Sequence, residues 1–156
     1  MAANLTPPPV SSPELSALPP RIVFFDGLCA FCDGLVPWLI ARDPDVRLHF
    51  APLQGSTAEV VRRAFPGRFP EEVDTMVYLH PGDGADGRQI SLRSAATLAV
   101  CEELQGGWKR LRLLRWLPRF LTDLGYRLFG AYRYRIFGKL DACRIPAPGE
   151  RARLLP

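Results

Sequence analysis

The segment "FFDGLCAFCDG", residues 24–34, contains two cysteines that are separated by two residues, Cys29 and Cys32. The run "RIVFF", residues 21–25, is rich in β-branched and aromatic side chains and predicts a buried strand. An Asp-Gly pair ends this strand, and apolar residues at helical spacing predict a helix over residues 30–42. The cysteine pair is therefore expected where a strand turns into a helix.

The position of the pair predicts dithiol chemistry. The first turn of a helix has unpaired N–H groups and the positive end of the helix dipole, and both stabilise a thiolate. We therefore expect Cys29 to attack a substrate disulfide and Cys32, one turn further on and less exposed, to resolve the intermediate. Asp26 is expected to act as a base for the resolving thiol, to raise the pKa of the thiols through its charge, or to bond its own backbone as a turn residue.

A metal site is the alternative for the same two cysteines. A structural zinc site needs four ligands, which usually come from a second cysteine pair or a pair of histidines. The other candidates, Cys101, Cys143, His49 and His80, are isolated and repeat no short ligand spacing. The sequence thus favours redox chemistry without a metal or an organic cofactor. A metal- or partner-binding module that uses the dithiol as a ligand remains the alternative.

Hydrophobic patterns along the remaining chain predict an α/β fold. Further strands are predicted over residues 46–50, 75–79 and 88–92, and helices over residues 56–65 and 94–104, the second capped by Ser94. Helical connections between the first strands imply parallel pairing, and the hairpin implies an antiparallel edge. The expected architecture is a mixed four-stranded sheet that is flanked by helices.

Length and composition indicate one domain. The chain has 156 residues, which suffice for one hydrophobic core. Residues 1–20 contain six prolines and are expected to form a disordered leader, residues 21–146 the domain, and residues 147–156 a flexible tail. No uncharged apolar run approaches the roughly eighteen residues of a membrane span. The N-terminus does not resemble an export signal, so we expect a cytoplasmic location, where thiols stay reduced.

Residues 108–140 form a basic and aromatic extension. From residue 108 to residue 144 there are ten Lys/Arg against two Asp/Glu, whereas the whole chain has a net charge of +4. The pattern favours an amphipathic helical pair whose leucines pack on the sheet, namely Leu113, Leu117, Leu121, Leu124 and Leu128. A weak contact with a membrane surface is also compatible with this composition. No motif for nucleic-acid binding accompanies the basic residues.

Several segments together resemble the DCC family of thiol-disulfide oxidoreductases. They are the cysteine segment itself, "FAPLQ" (50–54), "LRSAA" (92–96), "GGW" (106–108) and "YRYRIFGKLDACRIP" (132–146). The resemblance implies a thioredoxin-like fold, here with a helical C-terminal extension, and dithiol-disulfide activity on an unidentified substrate. Asp26, Cys29 and Cys32 match the family motif, whereas Ala30-Phe31 stands where the family often has Pro-Leu.

Other residues are expected near the pair or its partners. Arg93 is a candidate for binding an anionic group of the substrate, with Ser94 beside it, and Cys143 is a candidate third redox thiol. Thioredoxins carry a cis-proline before the third strand, but Asp74 or Thr75 takes that place, so no cis-proline is expected. The expected partners are a protein or small-molecule disulfide and a cellular reductant.

Overall fold

A computed structural model of the chain describes residues 13–71, 75–84, 87–138 and 147–156, except the side chains of Arg119 and Tyr134. The strands are β1 (Ile22–Phe25), β2 (His49–Pro52), β3 (Val77–Pro81) and β4 (Arg88–Leu92). The helices are α1 (Pro13–Ser16), α2 (Ala30–Ile40), α3 (Ser56–Ala64), α4 (Arg93–Glu103), a 3₁₀ helix (Gly107–Trp116), α5 (Arg119–Phe137) and α6 (Pro148–Arg151).

The four strands form one mixed sheet in the order β2-β1-β3-β4. β1 pairs in parallel with β2, and Ile22 lies opposite His49. β3 pairs antiparallel with both β1 and β4. The predicted α/β class and mixed sheet are confirmed, and the architecture is consistent with a thioredoxin-like fold.

Successive side chains of a strand point to opposite sides of the sheet, and helices cover both sides. Ile22 and Phe24 pack on one face with residues of α1 and α3. Val23 and Phe25 pack on the other face with residues of α2 and α4. This second face leads to the cysteine pair, because the chain leaves β1 directly after Phe25.

The second strand begins three residues later than the predicted range 46–50. Asp43 is the cause, since its carboxylate accepts the backbone N–H groups of Arg47 at 3.2 Å and of Leu48 at 2.9 Å. Val46 adopts a positive φ of 53°, which is incompatible with a strand. A side chain that captures two backbone donors therefore holds this stretch as a loop.

The structure at the two ends of the chain differs from the expected disordered leader and flexible tail. Within the proposed disordered leader, residues 13–16 form α1, and Leu15 is completely buried against the sheet. The proposed flexible tail instead packs along β2, where the N–H of Leu155 donates to the carbonyl of Phe50 at 2.8 Å. Arg153 forms a buried ion pair with Asp43 at 3.0 Å. Tertiary contacts thus order segments whose local sequence indicated little structure.

The helical extension is present, but its predicted packing is wrong. All five leucines that were expected to pack on the sheet are exposed, from Leu117 at 42% to Leu113 at 63%. The side of α5 that faces the domain instead carries Thr122, Tyr126 and Arg133. The regular spacing of the leucines identified a helix face, but it did not indicate which way the face points. Within the described residues, no helix is both long and apolar enough to cross a membrane.

Candidate functional site

The two cysteines lie where β1 turns into α2. Cys29 immediately precedes α2 in an extended conformation, and its carbonyl accepts the N–H of Asp33 at 2.9 Å. Cys32 lies in the first turn of the helix, and both residues are free thiols. The predicted strand-to-helix junction is confirmed, and with it the proximity of both sulfurs to the positive end of the helix dipole.

The exposure of the two residues is the reverse of the expectation. Cys29 is 0% exposed, whereas Cys32 keeps part of its surface accessible. Cys32 contributes to the wall of a pocket whose opposite wall is α5. The prediction that Cys32 is the less exposed thiol is therefore wrong, because it considered only the position of the residue within α2.

Asp26 is a turn residue, as one of the expectations held, and it is also buried beside the thiols. Its Oδ1 accepts the N–H of Leu28 at 3.0 Å, which is the bond of a turn residue to its own backbone. The same oxygen accepts the side-chain amide of Gln54 at 3.1 Å. Asp26 is also 2% exposed and lies 3.4 Å from the guanidinium of Arg133. The carboxylate is thus a turn residue held inside a buried polar cluster beside the thiols.

Arg133 is the site residue that the sequence did not indicate. It comes from α5, is 4% exposed, and its Nη1 approaches the Sγ of Cys32 at 3.5 Å. Residues 107–137 contain eight Lys/Arg, and nothing in their spacing distinguishes the one that turns inward. The one indication in the sequence was that Arg133 belongs to the segment "YRYRIFGKLDACRIP", which resembles the DCC family.

The ionisation of Cys32 reflects these surroundings. Its pKa is raised from 9.0 to about 12, mainly because burial penalises the charged thiolate. The nearby Cys29 raises the pKa further by charge repulsion, and the cation of Arg133 opposes the rise. Cys32 therefore keeps its proton at neutral pH.

Aromatic and polar contacts hold α5 over the pair. The ring of Phe31, between the two cysteines, meets Phe129 edge to face with centroids 4.8 Å apart. The hydroxyl of Tyr126 accepts the backbone N–H of Met76 at 2.8 Å. These contacts, to α2 and to the residue before β3, set the position from which Arg133 reaches Cys32.

An apolar pocket of about 420 Å³ lies between the sheet, α2, α4 and α5. Cys32, Asp26 and Arg133 contribute to its wall. Most of the remaining wall is hydrophobic, formed by Val23, Phe25, Phe31, Leu35, Val36, Leu39, Phe50, Met76, Leu98, Leu114 and Phe129. The dithiol therefore adjoins a cavity of a size typical for small-molecule binding sites.

The two expected substrate-binding residues differ in their placement. Ser94 lines the apolar pocket, whereas Arg93 lines a more polar neighbouring pocket of about 390 Å³. Ser94 is not the helix cap, because α4 begins at Arg93 after Leu92. The hydroxyl of Ser94 instead donates to the carboxylate of Asp123 at 2.5 Å. The structure thus brings Ser94, but not Arg93, to the cavity beside the thiols.

The remaining cysteines and histidines do not surround the pair in the part of the chain that is described. Among those residues, no group of three or more His, Cys, Asp or Glu side chains is placed to hold a metal ion. Cys101 packs on α4 at 8% exposure, as expected of a small hydrophobic residue. Cys143 lies outside the described residues.

Known proteins resemble this chain along most of its length. Residues 23–139 match the family described as DCC1-like thiol-disulfide oxidoreductase. The uncharacterised protein YuxK of Bacillus subtilis is 32% identical over 89% of this chain and 96% of its own length. A chloroplastic DCC family protein of Arabidopsis thaliana is 25% identical over 80% of this chain and 69% of its own length. No solved structure matches the chain significantly.

Proposed function

Because the chain belongs to the family of DCC1-like thiol-disulfide oxidoreductases, we propose that it reduces or forms disulfides through a Cys29–Cys32 dithiol-disulfide couple. The observation that carries the proposal is the pair of free thiols at the start of α2, with Arg133 against Cys32 and Asp26 paired with Arg133. A thiol pair at a helix N-terminus is suited to reversible exchange because the helix stabilises the attacking thiolate.

In the proposed reaction, the sulfur of Cys29 attacks one sulfur of the substrate and forms a mixed disulfide. The other substrate sulfur leaves as a thiolate and takes up the proton that Cys29 lost. Cys32 then gives up its proton and attacks the sulfur of Cys29, which forms the Cys29–Cys32 bond and releases the second substrate thiol. The substrate gains two electrons and two protons, which a cellular reductant later returns to the protein.

The surroundings of Cys32 support its role as the resolving thiol. A pKa of about 12 keeps Cys32 protonated while Cys29 attacks. Asp26 is the proposed acceptor of that proton, and Arg133 stabilises the thiolate that the transfer produces. Since Cys29 is completely buried, the first attack also requires the contacts that cover it to open.

The assignment is tested by trapping the mixed disulfide with oxidised glutathione as the probe. In a Cys32→Ser variant the intermediate cannot be resolved, so we expect a stable adduct on Cys29, measured as an added glutathione in the intact mass. The Cys29→Ser variant should form at most a small fraction of this adduct. Cys101→Ser provides the matched control and should behave as the wild type does.

Two outcomes would change the proposal. An adduct that accumulates in Cys29→Ser, and not in Cys32→Ser, would reverse the roles of the two thiols. If the wild type forms no internal disulfide under mild oxidation and neither variant traps an adduct, the redox function itself is contradicted.

The alternative function, in which the dithiol is a metal or partner ligand, gains no specific support from the described residues. Native mass spectrometry distinguishes it, since a ligand role predicts a zinc ion that is retained by the wild type and lost in Cys29→Ser. For the redox function, the proposed partners are a disulfide substrate and a cellular reductant. A reducing compartment such as the cytoplasm would return the couple to its dithiol form.

A further inference from the structure

We propose that the pocket beside Cys32 binds a small, uncharged, apolar molecule that carries the substrate disulfide. Low-molecular-weight apolar disulfides, rather than protein disulfides, are then the preferred substrates. The inference rests on the proposed function and adds the class of substrate to it.

The size and lining of the pocket indicate a small, apolar ligand. A volume of about 420 Å³ is within the range of small-molecule sites, and a small molecule of one or two rings fits it. Leu35 and Val36 of α2, Leu98 of α4 and Phe129 of α5 supply apolar surface from three different helices. Transfer of an aromatic ring from water to such a surface is favourable because it removes apolar area from water.

The polar groups of the pocket indicate an uncharged ligand, because most of them bond within the protein. Asp26 and Arg133 form an ion pair, so their charges offset each other. The hydroxyl of Ser94 donates to Asp123, and that of Thr97 donates to the carbonyl of Arg93 at 3.2 Å. A charged peptide or carboxylate ligand would therefore lose its hydration without an equivalent partner, whereas an apolar ligand loses little.

The position of Cys32 indicates that the ligand carries the reacting disulfide. Cys32 lies in the wall of the cavity, so a disulfide bound there is next to Cys32. Cys29 is completely buried, and it reaches this disulfide only when the contacts that cover it open. The exchange breaks the S–S bond of the ligand and forms the Cys29–Cys32 bond. The two protons of the protein thiols go to the two sulfurs of the ligand, which leave as thiols.

Two glycines of α5 provide a matched pair of variants. A Cβ atom added at Gly130 or at Gly125 would meet no heavy atom of another element within 4 Å. Gly130 lines the pocket, whereas Gly125 is exposed on the other side of the helix. Gly130→Leu should therefore fill part of the cavity, and Gly125→Leu should leave it open. Both replacements remove a helix-weakening glycine, so neither is expected to unfold the protein.

The first measurement is the rate at which the reduced protein reacts with 2,2′-dipyridyl disulfide and with bis(2-hydroxyethyl) disulfide. We expect Gly130→Leu to slow the reaction with the aromatic probe at least about tenfold, because part of the ring-binding surface is lost. The reaction with the hydrophilic probe should change less than about twofold. Gly125→Leu should match the wild type with both.

The second measurement uses thioanisole, an apolar thioether that cannot undergo exchange, and detects its binding by ligand-observed NMR. Binding to the wild type and to Gly125→Leu, with loss in Gly130→Leu, is the expected result. It would support the pocket even if the redox function failed. Absence of thioanisole binding, or equal slowing of both disulfide probes in Gly130→Leu, overturns the inference and leaves the dithiol mechanism intact.

A different set of residues carries a second inference, that the outer surface of the 3₁₀ helix and α5 docks on an anionic membrane surface. Trp116 is 89% exposed and Phe120 is 69% exposed, and Leu124, Leu128 and Ile136 continue the apolar surface along α5. This surface differs from the side of α5 that lines the pocket.

Charge identifies the partner of that surface. Residues 107–137 contain eight Lys/Arg and one Asp, and Lys109, Arg112, Arg127 and Arg135 are exposed. A second copy of the chain would present the same positive charge and be repelled. Exposed Trp, Phe and Leu side chains among arginines suit the interface of a bilayer with anionic headgroups.

Vesicle co-sedimentation tests this second inference. The wild type should bind vesicles that contain phosphatidylglycerol and bind vesicles of phosphatidylcholine alone at least about tenfold more weakly. A Trp116→Ser/Phe120→Ser variant should lose at least about tenfold of the binding, because its apolar anchors are removed. Val46→Ser, which changes an exposed apolar residue outside this surface, is the control. Equal binding by both variants, or self-association in place of vesicle binding, overturns the inference.

Discussion

Replacement of Arg133 by methionine is expected to lower the free energy of unfolding by about 3–5 kcal/mol, because it leaves the carboxylate of Asp26 buried without its cation. Asp26 is 2% exposed and would keep the bonds from Leu28 and Gln54, which places the expected loss near the lower end of this range. Urea denaturation followed by circular dichroism measures the change.

The same variant should alter the chemistry of Cys32. Arg133 opposes the rise of the Cys32 pKa, so its removal moves that pKa further above the wild-type value. A hydrogen bond to a charged group contributes about 1.5–3 kcal/mol, so loss of the bond from Arg133 to the Cys32 thiolate should slow resolution of a mixed disulfide on Cys29 by about tenfold or more. The decay of the glutathione adduct after rapid mixing measures this step.

Two further variants separate the charge of Arg133 from its packing. Arg127→Met changes an exposed arginine of the same helix and should alter neither stability nor resolution. Arg133→Met combined with Asp26→Asn removes the uncompensated charge and should recover much of the lost stability. If Arg133→Met proved as stable as Arg127→Met and resolved the adduct at the wild-type rate, Arg133 would contribute neither to stability nor to the reaction of Cys32.

Replacement of Asp43 by alanine is expected to destabilise the fold by a similar amount, about 3–5 kcal/mol. The carboxylate accepts a bond from Arg153 at 3.0 Å and the backbone N–H of Leu48 at 2.9 Å, and Asp43 is 1% exposed. The variant therefore leaves a buried guanidinium without its anion and a buried backbone donor without its acceptor.

The effect of Asp43→Ala should extend to the C-terminus. Arg153 anchors the segment that runs beside β2, so limited proteolysis should cleave residues 147–156 faster in the variant. Asp45→Ala is the control, because Asp45 and Arg47 form an exposed ion pair that contributes less than about 1 kcal/mol. Similar unfolding midpoints for the two variants would be incompatible with a structural role for the buried pair.

The accuracy of the sequence predictions depended on the range of the interactions involved. The cysteine junction was predicted correctly, because a short β-branched run, an Asp-Gly break and a helical pattern are neighbours in sequence. The start of β2 was missed, because a side chain at Asp43 holds the backbone of Arg47 and Leu48. The exposure of the leucines of the extension was missed, because periodicity specifies a helix face without its direction.

By itself, the sequence determined the order of the four strands and of the helices α2, α3 and α4, the mixed sheet and the place of Cys29 and Cys32 at the start of α2. These features follow from hydrophobic periodicity and turn residues, which act between near neighbours. Only the tertiary structure decided which arginine meets the thiols, which thiol faces a cavity and that the cavity is apolar. The physical reason is distance along the chain: Arg133 and Cys32 are 101 residues apart, and only the docking of α5 brings them together.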